Sequence, residues 1–205
     1  MKYFCYQIGI ELKNQLTSLR KEFFRKSIHI CTAFVPFFLS LARIPVIILL
    51  CSAGILYIIA ETLRYEGHQI PLISDITAAA ARKRDENKFV LGPVTLVAGI
   101  IASVIFFDES AASVGIYALA FGDGLASLAG KTFGKIRVPY THGKTVEGSL
   151  TCFTAIFCSS FFVTSNCYIS LVVAASGALI EVLPLKDFDN LIIPVFLGGV
   201  VTYLS

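Results

Sequence analysis

Asp123 stands in Phe121-Gly122-Asp123-Gly124, within a long apolar run. A charge inside hydrocarbon costs about 3 kcal/mol or more, so such a carboxylate is a functional candidate by default. Gly130-Lys131, Gly134-Lys135 and His142-Gly143-Lys144-Thr145-Val146-Glu147-Gly148-Ser149 follow it closely. Glycines let backbone amides approach an anion, and lysine adds a point charge for phosphate. The stretch therefore points to polyphosphate binding, with Asp123, Lys144 and Glu147 as candidate reactive groups. Gly143-Lys144-Thr145 resembles the end of a Walker A loop. That pattern requires glycine where Val138 stands, and no strand precedes it. Gly122, Gly124 and Gly130 also suit close helix packing, but packing leaves Asp123, Lys144 and Glu147 unexplained.

Other polar residues gather toward the same end. Arg25 and His29 are four apart, and Glu61 and Arg64 three apart, so each pair shares a helix face. Glu181, Asp189 and Asn190 flank the last two apolar runs. Each has a plainer alternative. Arg25 and Lys26 suit snorkelling to an interface, His29 a hydrogen bond within a bundle, and Glu61 with Arg64 a structural ion pair.

The elements that must hold these groups are membrane helices. Of 205 residues, 56% are hydrophobic and 15% charged, and the mean hydropathy is +0.76. The charges cluster between apolar runs of membrane-spanning length. The runs are continuous rather than alternating, which excludes a β-barrel. Seven spans are expected near 27–42, 44–61, 89–107, 111–129, 149–165, 168–185 and 188–204. Ile8, Leu12, Leu16, Leu19 and Phe23 recur at helical steps on one face. They predict an N-terminal amphipathic helix over 1–26, lying at the membrane surface or packed on the bundle. A further helical segment is expected over 73–84, ending in Arg82-Lys83-Arg84. With no repeat and no linker, 1–205 reads as a single all-α domain: the interfacial helix, then a polytopic bundle over 27–204.

With the N-terminus inside, every Lys and Arg except Arg43 falls on the cytoplasmic side. The polar cluster then lies at the cytoplasmic ends of the spans. A transport path would place its charges near the midplane instead. The six cysteines show neither CxxC nor metal spacing, and a net charge of +3 is too small to suggest nucleic acid.

Taken in order, these residues resemble the polyprenol kinase family, which includes CTP-dependent dolichol and diacylglycerol kinases and phytol kinases. The likeness starts with Glu22-Phe23-Phe24-Arg25-Lys26-Ser27-Ile28-His29 and with Glu61 and Arg64. It continues through Phe121–Ser127, Gly130, Gly134 and Gly143–Ser149, and ends with Glu181, Pro184, Asp189-Asn190 and Pro194. Arg84 and Glu86 echo an Arg/Glu pair of that family. The resemblance implies transfer of the terminal phosphate of CTP to the hydroxyl of a membrane lipid alcohol: diacylglycerol, a polyprenol such as dolichol, or phytol. UTP and ATP stay open as donors, and a homodimer stays open as the assembly. It implies catalytic roles for Asp123, Lys144 and Glu147. It implies nucleotide contacts at Arg25, Lys26, Glu61, Arg64, Gly122, Gly143, Thr145, Gly148 and Asn190. Mg²⁺, which takes one or two carboxylates plus phosphate oxygens, would be held by Asp123 with Glu147 or Asp189. A phosphatidate cytidylyltransferase is the nearest rival, and a small transporter a distant one.

Overall fold

The computed structural model of the protein describes residues 2–68, 88–141 and 143–205, with first-helix side chains described at Lys13 and from Leu16 onward. The segment 73–84, Glu86, His142 and the side chains of Ile8 and Leu12 lie outside the described residues. Helices α1 (Lys2–Cys31), α2 (Val35–Leu41), α3 (Arg43–Tyr65) and α4 (Gly92–Phe106) come first. They are followed by α5 (Glu109–Tyr117), a π-helical turn (Ala118–Asp123), α6 (Gly124–Phe133), α7 (Val146–Thr164), α8 (Cys167–Val182) and α9 (Asp189–Leu204). Among the described residues the only extended pairing is a single bridge between Arg137 and Thr145.

Local chemistry sets the helix ends. Asp108 accepts from the amides of Ser110 at 3.0 Å and Ala111 at 3.4 Å, and so starts α5. Asn166 does the same for α8, accepting from Tyr168 and Ile169. Thr145 accepts from the amide of Gly148 at 3.2 Å and starts α7. Pro36 and Pro93 each sit in a first turn, where a missing N–H costs nothing.

The expected first span, 27–42, is not one helix. α1 runs through residue 26 to Cys31, and a 3₁₀ turn (Thr32–Phe34) then leads into α2. Pro36 cannot donate to the carbonyl of Thr32, four residues back, and the amide of Val35 takes that carbonyl instead.

Ala111, Val114, Ile116 and Leu119 are fully buried, so the run from α5 through the π turn is the centre of the bundle. Cys152 and Ile156 of α7, Val173 of α8 and Leu197 and Val201 of α9 pack around it. α9 approaches α4 and α5 at van der Waals limits. A Cβ on Gly115 would stand 2.2 Å from the Pro194 carbonyl oxygen, and one on Gly99 2.3 Å from that of Asn190. Pro194 leaves the Asn190 carbonyl without its helical donor, and Gly99 lets α4 close over it.

Among the described residues, three helices are long and apolar enough to cross a membrane: α3, the run Glu109–Phe133 and α7. α4, α8 and α9 are apolar but shorter, at 15, 16 and 16 residues. α3 presents Ile44, Ile48, Leu49, Ile55, Leu56 and Ile59 outward, as a lipid-facing helix does. The protein is a membrane protein with a helical bundle. On α1 the apolar stripe also faces out, with Leu16 63% and Phe23 64% exposed. Glu22, Lys26 and His29, at steps of four and three, are the buried face. α1 thus docks through its polar side, and its apolar stripe faces away from the bundle.

Candidate active site

The buried face of α1 meets the π turn and α6. Lys26 Nζ pairs with Asp123 Oδ2, and both residues are buried. His29 Nδ1 lies 3.2 Å from the same oxygen without reaching hydrogen-bond geometry. Asp123 is the last residue of the π turn, whose wider winding changes the direction of the side chains beyond it. Gly124 follows, and a Cβ there would stand 3.2 Å from Ile30 of α1.

Glu22 ties α1 to α6. Its Oε1 accepts from Arg25 and from Ser127 Oγ at 2.6 Å, and its Oε2 from Lys131 Nζ at 2.7 Å. Burial works to raise the carboxyl, but Arg25, Lys131 and Ser127 outweigh it and hold it at about 2, against a usual 4.5. A depressed acid stabilises the fold above its unfolded value. That contribution is lost as pH falls from about 4.5 through 2, and amounts to about 3 kcal/mol. Between pH 4.5 and 2 the wild type should therefore lose more stability than Glu22→Gln, whose profile lacks this component. Parallel thermal melts across that window would expose the difference, and identical slopes would refute it.

Lys144 pairs with Glu181 of α8, and Ser149 Oγ donates to the other oxygen of Glu181 at 3.1 Å. The loop that carries Lys144 folds on itself. Val138 N bonds the Lys144 carbonyl, and Val146 N that of Ile136, each at 2.9 Å. Gly143, at φ +96°, makes the reversal, and a Cβ there would meet nothing within 4 Å. Glu147 closes the loop by accepting from the amides of Lys135 at 3.0 Å and Ile136 at 3.3 Å. The Glu147 carboxylate and the Gly148 amide are thus engaged within the loop itself. Gly122 packs on Ile156, which a Cβ would meet at 2.7 Å.

Glu61 is wholly buried and binds Arg64 at 2.7 Å and 2.6 Å. It also accepts from Val90 N at 2.8 Å, while Arg64 donates to the Lys88 carbonyl at 2.8 Å. This clasp fixes the chain where it enters α4.

A cleft with about 550 Å³ of open space lies beside these groups. Arg25, Lys26 and His29 line it from α1, Gly92 and Pro93 from the start of α4, and Asp189 and Asn190 from the start of α9. Lys186 and Asp187 come from the connection between α8 and α9, and Ile28, Val90 and Leu96 are its apolar wall. Asn190 Nδ2 donates to the Gly92 carbonyl at 3.1 Å and meets Thr95 Oγ1 at 3.2 Å, joining two walls. The fold therefore brings Arg25, Lys26, Asp189 and Asn190 together, with Asp123 directly behind Lys26. It sets Lys144 and Thr145 at the end of the α6–α7 loop and Glu147 and Gly148 in the first turn of α7, and none of the four lines the cleft. Glu61 and Arg64 serve the clasp. Among the described residues no three His, Cys, Asp or Glu side chains form a metal-holding group.

The chain is similar to kinases of two plant alcohols. It is 32% identical over 126 residues to a chloroplastic farnesol kinase of Arabidopsis thaliana, covering 54% of this chain and 41% of that one. It is 26% identical over 140 residues to the chloroplastic phytol kinase 1 of the same plant, covering 59% of this chain and 46% of that one. An uncharacterized protein of Methanocaldococcus jannaschii is 29% identical over 193 residues, or 89% of this chain and 94% of that one. The chain spans less than half the length of the two plant kinases. No family model matches the chain, and no solved structure matches it.

Two residues of this region escape a reading of functional groups from sequence. Glu22 opens the stretch that carries the family resemblance without a role assigned to it, and its partners on α6 lie 105 and 109 residues away. Lys186 is a single loop cation whose place at the cleft depends on how α9 folds back.

Proposed function

We propose that the protein is a membrane kinase of an isoprenoid alcohol. It would transfer the terminal phosphate of a nucleoside triphosphate, CTP first among them, to the lipid hydroxyl. One observation carries this reading: at one end of an apolar bundle, a single cleft gathers Arg25, Lys26 and Lys186 with Asp187 and Asp189. Phosphoryl transfer needs positioning and charge neutralisation more than covalent chemistry, and a cleft of mixed charge beside lipid offers both. The likeness to farnesol and phytol kinases supports the acceptor class.

The donor set fits a magnesium–triphosphate complex. Cations would face phosphate oxygens, while Asp189, with Asp123 behind Lys26, would supply the one or two carboxylates that Mg²⁺ takes. When bound, the ion would neutralise charge on the phosphate oxygens. For the chain's own residues the reading assigns Lys26 an exchange: its ammonium leaves Asp123 for phosphate, and Asp123 Oδ2 is released to accept the alcohol proton. The alcohol oxygen then bonds the terminal phosphorus, the bond to the bridging oxygen breaks, and the nucleoside diphosphate leaves. Ile28, Val90 and Leu96 give the lipid chain an apolar wall on the way in. We place this end of the bundle in the cytoplasm, because the basic residues gather there.

The test uses purified protein in lipid nanodiscs with Mg²⁺, farnesol, phytol, a polyprenol, diacylglycerol and phosphatidate. CTP labelled on the γ phosphate is run beside CTP labelled on the α phosphate, and γ-labelled ATP and UTP complete the set. Label from the γ position in an isoprenoid alcohol is the expected result. Label from the α position in phosphatidate would replace the kinase by a cytidylyltransferase.

A further inference from the structure

Lys186 has no role in the reading above beyond its charge. It stands exposed between α8 and α9 with φ +59°, a left-handed backbone that disfavours any residue carrying a Cβ. The other two cleft cations are each held by a buried carboxylate, Arg25 by Glu22 and Lys26 by Asp123. Lys26 and Asp123 offset one another, and Arg25 shares Glu22 with Lys131. Among the described residues, Lys186 is the cleft cation with no hydrogen bond or ion pair. It lines the cleft beside Asp187, which follows it directly in sequence. An ammonium there is available to phosphate oxygens before any buried pair has opened.

We propose that Lys186 is the entry contact for the nucleotide's phosphates, a binding residue rather than a catalytic one. This rests on the kinase reading and deepens it. The triphosphate meets Lys186 first, settles toward Asn190 and the start of α9, and only then draws Lys26 away from Asp123. An entry contact holds substrate and transition state alike, so its loss raises KM and leaves kcat unchanged.

Lys186→Met removes the charge and keeps the length and the backbone strain. In nanodiscs with Mg²⁺ and without an alcohol, calorimetry should show CTP binding about tenfold weaker, the worth of one charge-assisted contact. With the alcohol present, KM for CTP should rise by the same factor at unchanged kcat. Lys186→Arg should restore both to within about threefold, since it returns the charge. Lys186→Gly should bind as weakly as Lys186→Met with no loss of Tm, because glycine accepts this φ. CTP binding by Lys186→Met within twofold of wild type would overturn the proposal and leave the kinase reading standing. Wild type that binds CTP, is weakened by Lys186→Met, and phosphorylates no alcohol would keep the site and remove the kinase. Wild type that binds no nucleoside triphosphate would overturn both.

Discussion

Asp123→Ala is expected to abolish phosphate transfer and to weaken the fold at the same time. Lys26 is 2% exposed, and its partner is this carboxylate. Removing one member of a buried ion pair leaves an uncompensated charge, at a cost of about 3–5 kcal/mol. A dead Asp123→Ala variant alone would therefore say little about chemistry. The double variant Lys26→Met with Asp123→Leu separates the two effects, because replacing both members by apolar groups of similar size is often neutral. It should regain most of the lost thermal stability and stay inactive. Measurable turnover in the refolded double variant would remove Asp123 and Lys26 from the chemistry and leave them as a bundle contact.

Lys144→Met is expected to lower kcat by about 10²–10³, the range for losing one preorganised charge that acts on the transition state. Nucleotide binding should change by less than about threefold, because Lys144 does not line the cleft and is held by Glu181 and the α6–α7 loop. Its action then requires leaving Glu181 as the reaction proceeds. Steady-state kinetics read beside calorimetry would decide the matter. A tenfold loss of CTP affinity at unchanged kcat would make Lys144 a ground-state phosphate contact, the behaviour expected of Lys186. The two lysines are thus predicted to fail in opposite ways.

Much of the architecture was legible because hydrophobic burial is local in sequence. α3, α7, α8 and α9 fall close to the apolar runs that predict them. The gathering of charge at one end was equally legible, since charges avoid hydrocarbon and collect at span ends. The stripe Leu16, Leu19 and Phe23 gave α1 its helical face. Periodicity could not say whether that face meets lipid or protein, because both are apolar surroundings. The docking of Glu22, Lys26 and His29 on the π turn and α6 turns that stripe away from the bundle.

The amino-acid sequence by itself determined that this is an all-helical membrane protein, and which residues are too polar for their surroundings to be there by chance. Tertiary structure alone decided how those residues pair. Lys26 meets Asp123 across 97 residues, Lys144 meets Glu181 across 37, and Glu61 reaches the amide of Val90 across 29. Sequence supplies the charges but not their partners, because several carboxylates compete for each cation at the same end of the bundle. The choice falls to backbone packing: the π turn that directs Asp123, the glycines that admit α9, and the proline that breaks α1 from α2. The cleft is a product of that packing, and Lys186 becomes a candidate only once the α8–α9 connection lines one cleft with α1.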